Sequence, residues 1–208
     1  DFRLNDDWKR TKALWQAAPV LSTVESTDFL QAVTMLTTLR RNRASGSERR
    51  PAVSAKREDV LKLTLDDYLE WRDPLREAFV WASTFLADRF VFVAREVPYP
   101  KQLVPLAAIR VVLGQRADLI GVRDRIVRWF WCGILGELYG GSIESRFARD
   151  IEQMPDWALD PDSNPAPRTV VDATFVESRL LSLRTRNAAA YKGIAALDAK
   201  TKELLLAE

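Results

Sequence analysis

The sequence predicts an all-α fold: one irregular domain over residues 1–208, with about seven to nine helices and at most a short extended segment. Apolar residues recur at intervals of three and four along most of the chain, which places them on one face of a helix. Glycine and proline number 8 and 10 among 208 residues, fewer than a turn-rich β fold needs. Hydrophobic residues make up 47% of the chain, which excludes a disordered protein.

Helix starts in the N-terminal half are predicted from capping residues. A short helix with acidic residues in its first turn opens the chain, and a second covers roughly residues 28–41. The spacing of Thr64 and Asp67 is typical of a capping box and starts a further helix. Asp73 followed by Pro74 indicates another start, because aspartate caps helices and proline suits the first helical position.

The C-terminal half also reads as helical. Residues 90–93 are predicted to finish the preceding helix or to form the short extended segment. Residues 103–113 are apolar nearly all round, which predicts a central buried helix. The later helices are predicted at about 121–139, from 143 to about 153, near 173–183, and from about 187 toward 206.

Two mobile loops are predicted, near residues 42–57 and 155–168. The first is basic, because residues 40–58 hold seven Lys or Arg against two Glu, a net charge of +5. Such a loop can contact DNA phosphates, although loops of this composition are more often simply solvated. The second is rich in proline and aspartate, which favours a surface excursion.

Composition narrows the function classes. The chain has no histidine and one cysteine, which excludes Ser-His-Asp catalysis, His-ligated zinc, an HNH nuclease site and an internal disulfide within it. A formal net charge of +2 does not indicate a nucleic-acid protein. No run reaches the ~18 apolar residues of a membrane span, so a cytoplasmic protein is expected. The chain begins with Asp1 rather than Met, so we expect a piece of a larger protein.

Four groups of residues are candidates for chemistry, and each has a structural alternative. The turn at 138–142 can cradle a phosphate or simply join two helices. The polar cluster at 184–192 can grip a phosphate or an acidic partner, or form a solvated face. The aromatic run at 129–131 is predicted as core rather than a base-stacking platform. A carboxylate- or Tyr/Lys-based enzyme would draw on Glu137, Glu144, Asp150, Tyr191 and Lys192.

Five stretches, in their order along the chain, carry a family resemblance. They are VESTDFLQAV at 24–33, QLVPLAA at 102–108, RWFW at 128–131, ELYGGSIESR at 137–146 and RTRNAAAYKG at 184–193. Together they resemble the helical middle region of GmrSD-type proteins, which are bacterial modification-dependent restriction and phage-defence proteins. The resemblance covers roughly residues 1–197.

The resemblance implies a module that works beside other domains. In that family a ParB/sulfiredoxin-like domain with an Asp-Gly-Gln-Gln-Arg motif uses NTP, and an HNH-type nuclease domain often follows. This chain contains neither that motif nor a histidine, so no catalytic residue, metal ligand or cofactor is expected in it. The expected partners are the other domains of the parent protein and, through the parent, DNA, whereas no membrane partner is expected.

The expected role is to position or couple the NTP-using and nuclease domains and to add phosphate contacts to a DNA path. A stand-alone helical protein-interaction domain is the alternative. The oligomeric state is left open. The candidate residues for a nucleic-acid or interdomain surface are Arg128, Arg146, Arg184, Arg186, Asn187, Tyr191 and Lys192.

Overall fold

The computed structural model describes residues 2–46, 50–141, 143–174 and 188–206, with side chains up to residue 199. Within these ranges the fold is all-α, as predicted, with nine α-helices and no β-strand. The helices are α1 (Leu4–Leu14), α2 (Ser26–Ala44), α3 (Arg57–Val60), α4 (Leu65–Ala87), α5 (Leu103–Leu113), α6 (Ile120–Leu135), α7 (Glu144–Leu159), α8 (Arg168–Val171) and α9 (Ala189–Leu206). None of these helices is long and apolar enough to cross a membrane.

Helix α5 lies at the centre of the core and has the predicted bounds. It packs against α2, α4 and α7. Seven consecutive residues from Leu103 to Ile109 are buried, so the helix has no solvated face over these two turns. This confirms the central buried helix that the apolar run predicts.

Helix α4 is continuous through Pro74, so the prediction of a separate helix start at Asp73 is wrong. The predicted capping box is present at its N-terminus, where the Asp67 backbone N–H donates to Thr64 Oγ1 at 3.2 Å. Pro74 has no N–H to donate to the preceding turn, and such a proline costs a helix roughly 3 kcal/mol. Burial of Leu75, Ala78, Phe79, Ala82, Phe85 and Leu86 along one face offsets that cost.

The predicted basic loop is shorter than expected and is tied to the core. Helix α2 extends to Ala44, and α3 already begins at Arg57. Between them Val53 and Ala55 are buried, at 7% and 0% exposure. The Ser54 backbone N–H donates to Thr38 Oγ1 at 3.1 Å. Residues 53–55 are therefore part of the packed structure, and mobility of the remaining loop stays a prediction.

The basic side chains at the end of α2 are paired. Arg40 and Arg41 each donate to Asp67, at 3.0 and 2.8 Å, and Arg43 donates to Asp156 at 3.1 Å. Asp67 is itself buried, so its charge holds two cations at the junction of α2 and α4. These arginines stabilise the fold rather than forming an uncompensated basic patch.

Helix ends in the C-terminal half differ from the predicted ones. Helix α6 ends at Leu135 rather than near 139, because Glu137 takes a left-handed backbone conformation with φ 54°. Helix α7 continues past 153 to Leu159 and includes Pro155, which is buried. The predicted loop at 155–168 is thereby reduced to residues 160–167. The helix predicted at 173–183 lies almost entirely outside the described residues.

Candidate functional site

Four of the seven predicted contact residues fall in the described part of the chain. Arg128 lies on α6, Arg146 on α7, and Tyr191 and Lys192 on α9. Arg184, Arg186 and Asn187 lie outside the described residues, as does Ser142 of the predicted turn. Whether the polar cluster predicted at 184–192 forms one surface therefore stays a prediction.

Arg146 points into the protein. Its Nη1 donates to Thr169 Oγ1 at 3.1 Å, and its Nη2 lies 3.8 Å from an Asp172 carboxylate oxygen. Only 17% of its side chain is exposed. The guanidinium therefore joins α7 to α8, and a phosphate would have to compete with these partners.

Asp150 is the buried centre of the same network. Trp129 Nε1 and Thr169 Oγ1 donate to Asp150 Oδ1 at 3.0 and 2.6 Å, and the Tyr139 hydroxyl donates to Oδ2. The residue is 1% exposed, and this burial raises the pKa of the Asp150 carboxyl to about 6 although the three donors favour its charged form. A carboxyl enclosed in this way joins helices α6, α7 and α8 and has no route to a substrate.

Trp129 and Phe130 lie in the core, as predicted, at 0% and 1% exposure, whereas Trp131 is only partly buried and packs against it. Their ring faces are packed against protein and are closed to a nucleic-acid base. Cys132 follows on the same helix and is half-buried, and burial raises the pKa of its thiol. Arg128 is the exposed member of this segment and makes no ion pair with a described residue.

Tyr191 and Lys192 line a surface cavity of about 450 Å³. Tyr191 is 38% exposed, and Lys192 Nζ lies 3.5 Å from the backbone carbonyl of Val97. The opposite wall carries Arg95 and Glu96, from a short 3-10 helix at Ala94–Glu96. Apolar lining comes from Phe90, Val91, Ala195 and Ala196.

Sequence reasoning missed this opposite wall. Arg95 and Lys192 lie almost a hundred positions apart, and no spacing rule connects them. The unusual conformation of Phe90 was also not visible in the sequence. Phe90 has φ 61°, a region that costs a non-glycine residue roughly 1–2 kcal/mol.

Backbone hydrogen bonds explain how Phe90 reaches that conformation. The N–H of Phe90 donates to the Ala87 carbonyl at 3.0 Å, and the N–H of Val91 donates to the Leu86 carbonyl at 3.1 Å. These two bonds are the Schellman arrangement that ends α4, with Phe90 at the position usually taken by glycine.

The stretches that carry the family resemblance meet inside the fold. Gln102 Nε2 donates to the Phe130 carbonyl at 3.1 Å, which joins the second stretch to the third. The rings of Trp129 and Tyr139, from the third and fourth stretches, lie edge to face at 6.5 Å. Gly193 of the last stretch packs so closely on α6 that an added Cβ would lie 2.8 Å from Ile134 Cγ2. At these described positions the resemblance falls on residues that pack the helices together.

The described residues hold no cluster of three carboxylate or thiol side chains suited to a metal ion. No protein-family model matches the chain, and no solved structure matches it. The chain is similar to an uncharacterized protein of Methanocaldococcus jannaschii, with 25% identity over 85 residues. That match covers 39% of this chain and 14% of the archaeal protein, so the chain corresponds to a small part of that relative's length.

Proposed function

We propose that the chain is a non-catalytic helical module of a cytoplasmic, GmrSD-like DNA-restriction protein, in which it positions or couples an NTP-using domain and a nuclease domain. The proposal is supported by the way in which the resembling stretches are joined in the fold. Gln102 of the second stretch is hydrogen-bonded to Phe130 of the third, Trp129 and Tyr139 of the third and fourth stretches both donate to Asp150 on α7, and Gly193 of the last stretch packs on α6. A rigid body of this kind can hold two domains at a fixed distance or transmit a displacement between them.

Fewer residues remain candidates for the proposed DNA contact than the sequence predicts. Arg146 is engaged with Thr169 and Asp172, which leaves Arg128, Tyr191 and Lys192 as the described candidates. Arg128 is the strongest candidate of the three, because the residue is exposed and forms no ion pair with a described carboxylate. A phosphate contact there would add to DNA affinity without reading sequence.

The test of the DNA contact is a fluorescence-anisotropy titration of the chain against labelled duplex, with plain and with modified cytosine, across a salt series. Binding that weakens steeply with salt supports the contact, and Arg128→Ala is expected to reduce the salt slope by about one. Arg10 is an exposed residue of α1 outside the resembling stretches, so Arg10→Ala is the matched control and should leave the slope unchanged. Absence of binding at low salt removes the DNA contact and leaves the positioning role.

The positioning role has a separate test. The coding sequence on both sides of the chain is read for an Asp-Gly-Gln-Gln-Arg motif before it and an HNH nuclease after it. The purified chain is expected to hydrolyse neither DNA nor NTP. Turnover that is lost on mutating the chain's own residues, or an open reading frame holding this domain alone, would overturn the proposal in favour of an enzyme or a stand-alone interaction domain.

A further inference from the structure

The cavity between the end of α4 and α9 has the features of a ligand site that the positioning role does not require. Its volume of about 450 Å³ lies within the range of roughly 300–1,000 Å³ typical of small-molecule sites. Its apolar lining comes from Phe90, Val91, Ala195 and Ala196, and its polar lining from Arg95, Glu96, Tyr191 and Lys192. A flat apolar body bearing an anionic group would match both parts.

The charges at the cavity favour an anion. Arg95 is exposed and forms no ion pair with any residue in the described ranges, and within the same ranges the Lys192 ammonium is hydrogen-bonded to the Val97 carbonyl alone, at 3.5 Å. Glu96 is the one carboxylate among the described lining residues, and its Oε2 accepts the backbone N–H groups of Phe92 and Val93 at 2.9 and 3.2 Å. Those donors hold the carboxylate to the turn, so it does not pair with either cation.

The turn that ends α4 brings the Phe90 side chain to the cavity. That turn would be most stable with glycine at this position, yet a phenylalanine occupies it and lines the cavity.

We propose that this cavity binds a small organic phosphate, with its flat body against Phe90 and its phosphate between the cations of Arg95 and Lys192. The Tyr191 hydroxyl is placed to donate a further hydrogen bond to the same group. The volume accepts one ring system and one phosphate rather than a length of polymer. The site is independent of the DNA contact at Arg128, so either can fail without the other.

The test is isothermal titration calorimetry of the whole chain with 1-naphthyl phosphate, 1-naphthol and inorganic phosphate. The phosphate ester is expected to bind more tightly than either half alone, because only the ester satisfies both parts of the lining. Arg95→Met and Lys192→Met should each weaken ester binding about tenfold, since each removes one charge-assisted hydrogen bond. Arg10→Met removes a matched exposed charge outside the cavity and should leave ester binding unchanged.

Several results would overturn the proposal. They are no ester binding at millimolar concentration, equal affinity for 1-naphthol, or unchanged affinity in both cavity variants. Displacement of the ester by a duplex without terminal phosphates, at equal phosphate concentration, would instead assign the cavity to a DNA path. Melting temperatures of the variants show whether each is folded. Phe90→Leu removes the aromatic face at the same backbone position and should also weaken ester binding.

Discussion

Replacing Asp150 by asparagine should change how the stability of the protein depends on pH. Burial raises the pKa of the Asp150 carboxyl from 3.8 to about 6, so the folded state holds the proton more tightly than the unfolded state. Wild-type stability therefore falls as pH rises from about 4 to 6, because the buried group must ionise. This rise in the pKa of Asp150 corresponds to about 3 kcal/mol of stability lost when the buried carboxyl is fully ionised.

Asparagine resembles the protonated carboxyl, since its amide can accept from Trp129 and donate toward Tyr139. The free energy of unfolding of Asp150→Asn, minus that of wild type, should thus rise with pH. Roughly half of the 3 kcal/mol should develop between pH 5 and pH 7.5. Urea unfolding at several pH values, followed by tryptophan fluorescence and circular dichroism, measures this difference.

Subtracting the free energy of unfolding of wild type from that of the variant removes the contributions of the other carboxylates to the pH dependence. Asp7 and Asp67 have pKa values held below the usual range, despite the opposing effect of burial, by hydrogen bonds to Tyr68 and Arg76 and to Thr64 respectively. They lose their stabilising effect only at lower pH, and they do so in both proteins. Asp162→Asn makes the same chemical change in an exposed loop and serves as the control. A difference between Asp150→Asn and wild type that stays constant from pH 5 to 7.5 would refute the reasoning.

Three further substitutions test the backbone and packing arguments by thermal and urea unfolding. Pro74→Ala should stabilise the protein by about 1–3 kcal/mol, because Pro74 is exposed and alanine restores a helical N–H; a loss of stability would contradict this. Glu137→Gly should stabilise it by about 1 kcal/mol, since glycine adopts φ 54° without strain, and an unchanged melting temperature would count against the strain. Gly133→Ala should cost about 1–3 kcal/mol, because its Cβ would lie 2.5 Å from Gln102 Nε2; Gly141→Ala, with open space around it, should be neutral.

The sequence predicts best those features that depend on neighbouring residues. The apolar run of α5 and the Thr64–Asp67 capping box are both confirmed, because each is encoded within one or two helical turns. The separate helix at Asp73 is wrong for the opposite reason. A local rule for proline was outweighed by an apolar face that continues across it and packs on other helices.

The candidate site was harder to predict because its contacts are made between distant parts of the chain. Asp150 meets Trp129 and Thr169 across 21 and 19 residues, and nothing in their spacing shows that they bind one another. Arg95 reaches the cavity of Lys192 from the other half of the chain. Local patterns predict correctly that Arg146 lies on a helix, but they do not predict that its guanidinium is bound by Thr169 and Asp172.

The placement of the resembling stretches changes what a family resemblance can say about this chain. Four residues of those stretches lie inside the helix packing: Gln102, Trp129, Tyr139 and Gly193. Residues of this kind specify how helices fit together, so similarity among them speaks first for a shared fold. Evidence for a shared function has to come instead from exposed groups, and the DNA titration depends on one of them, Arg128, which forms no ion pair with a described residue.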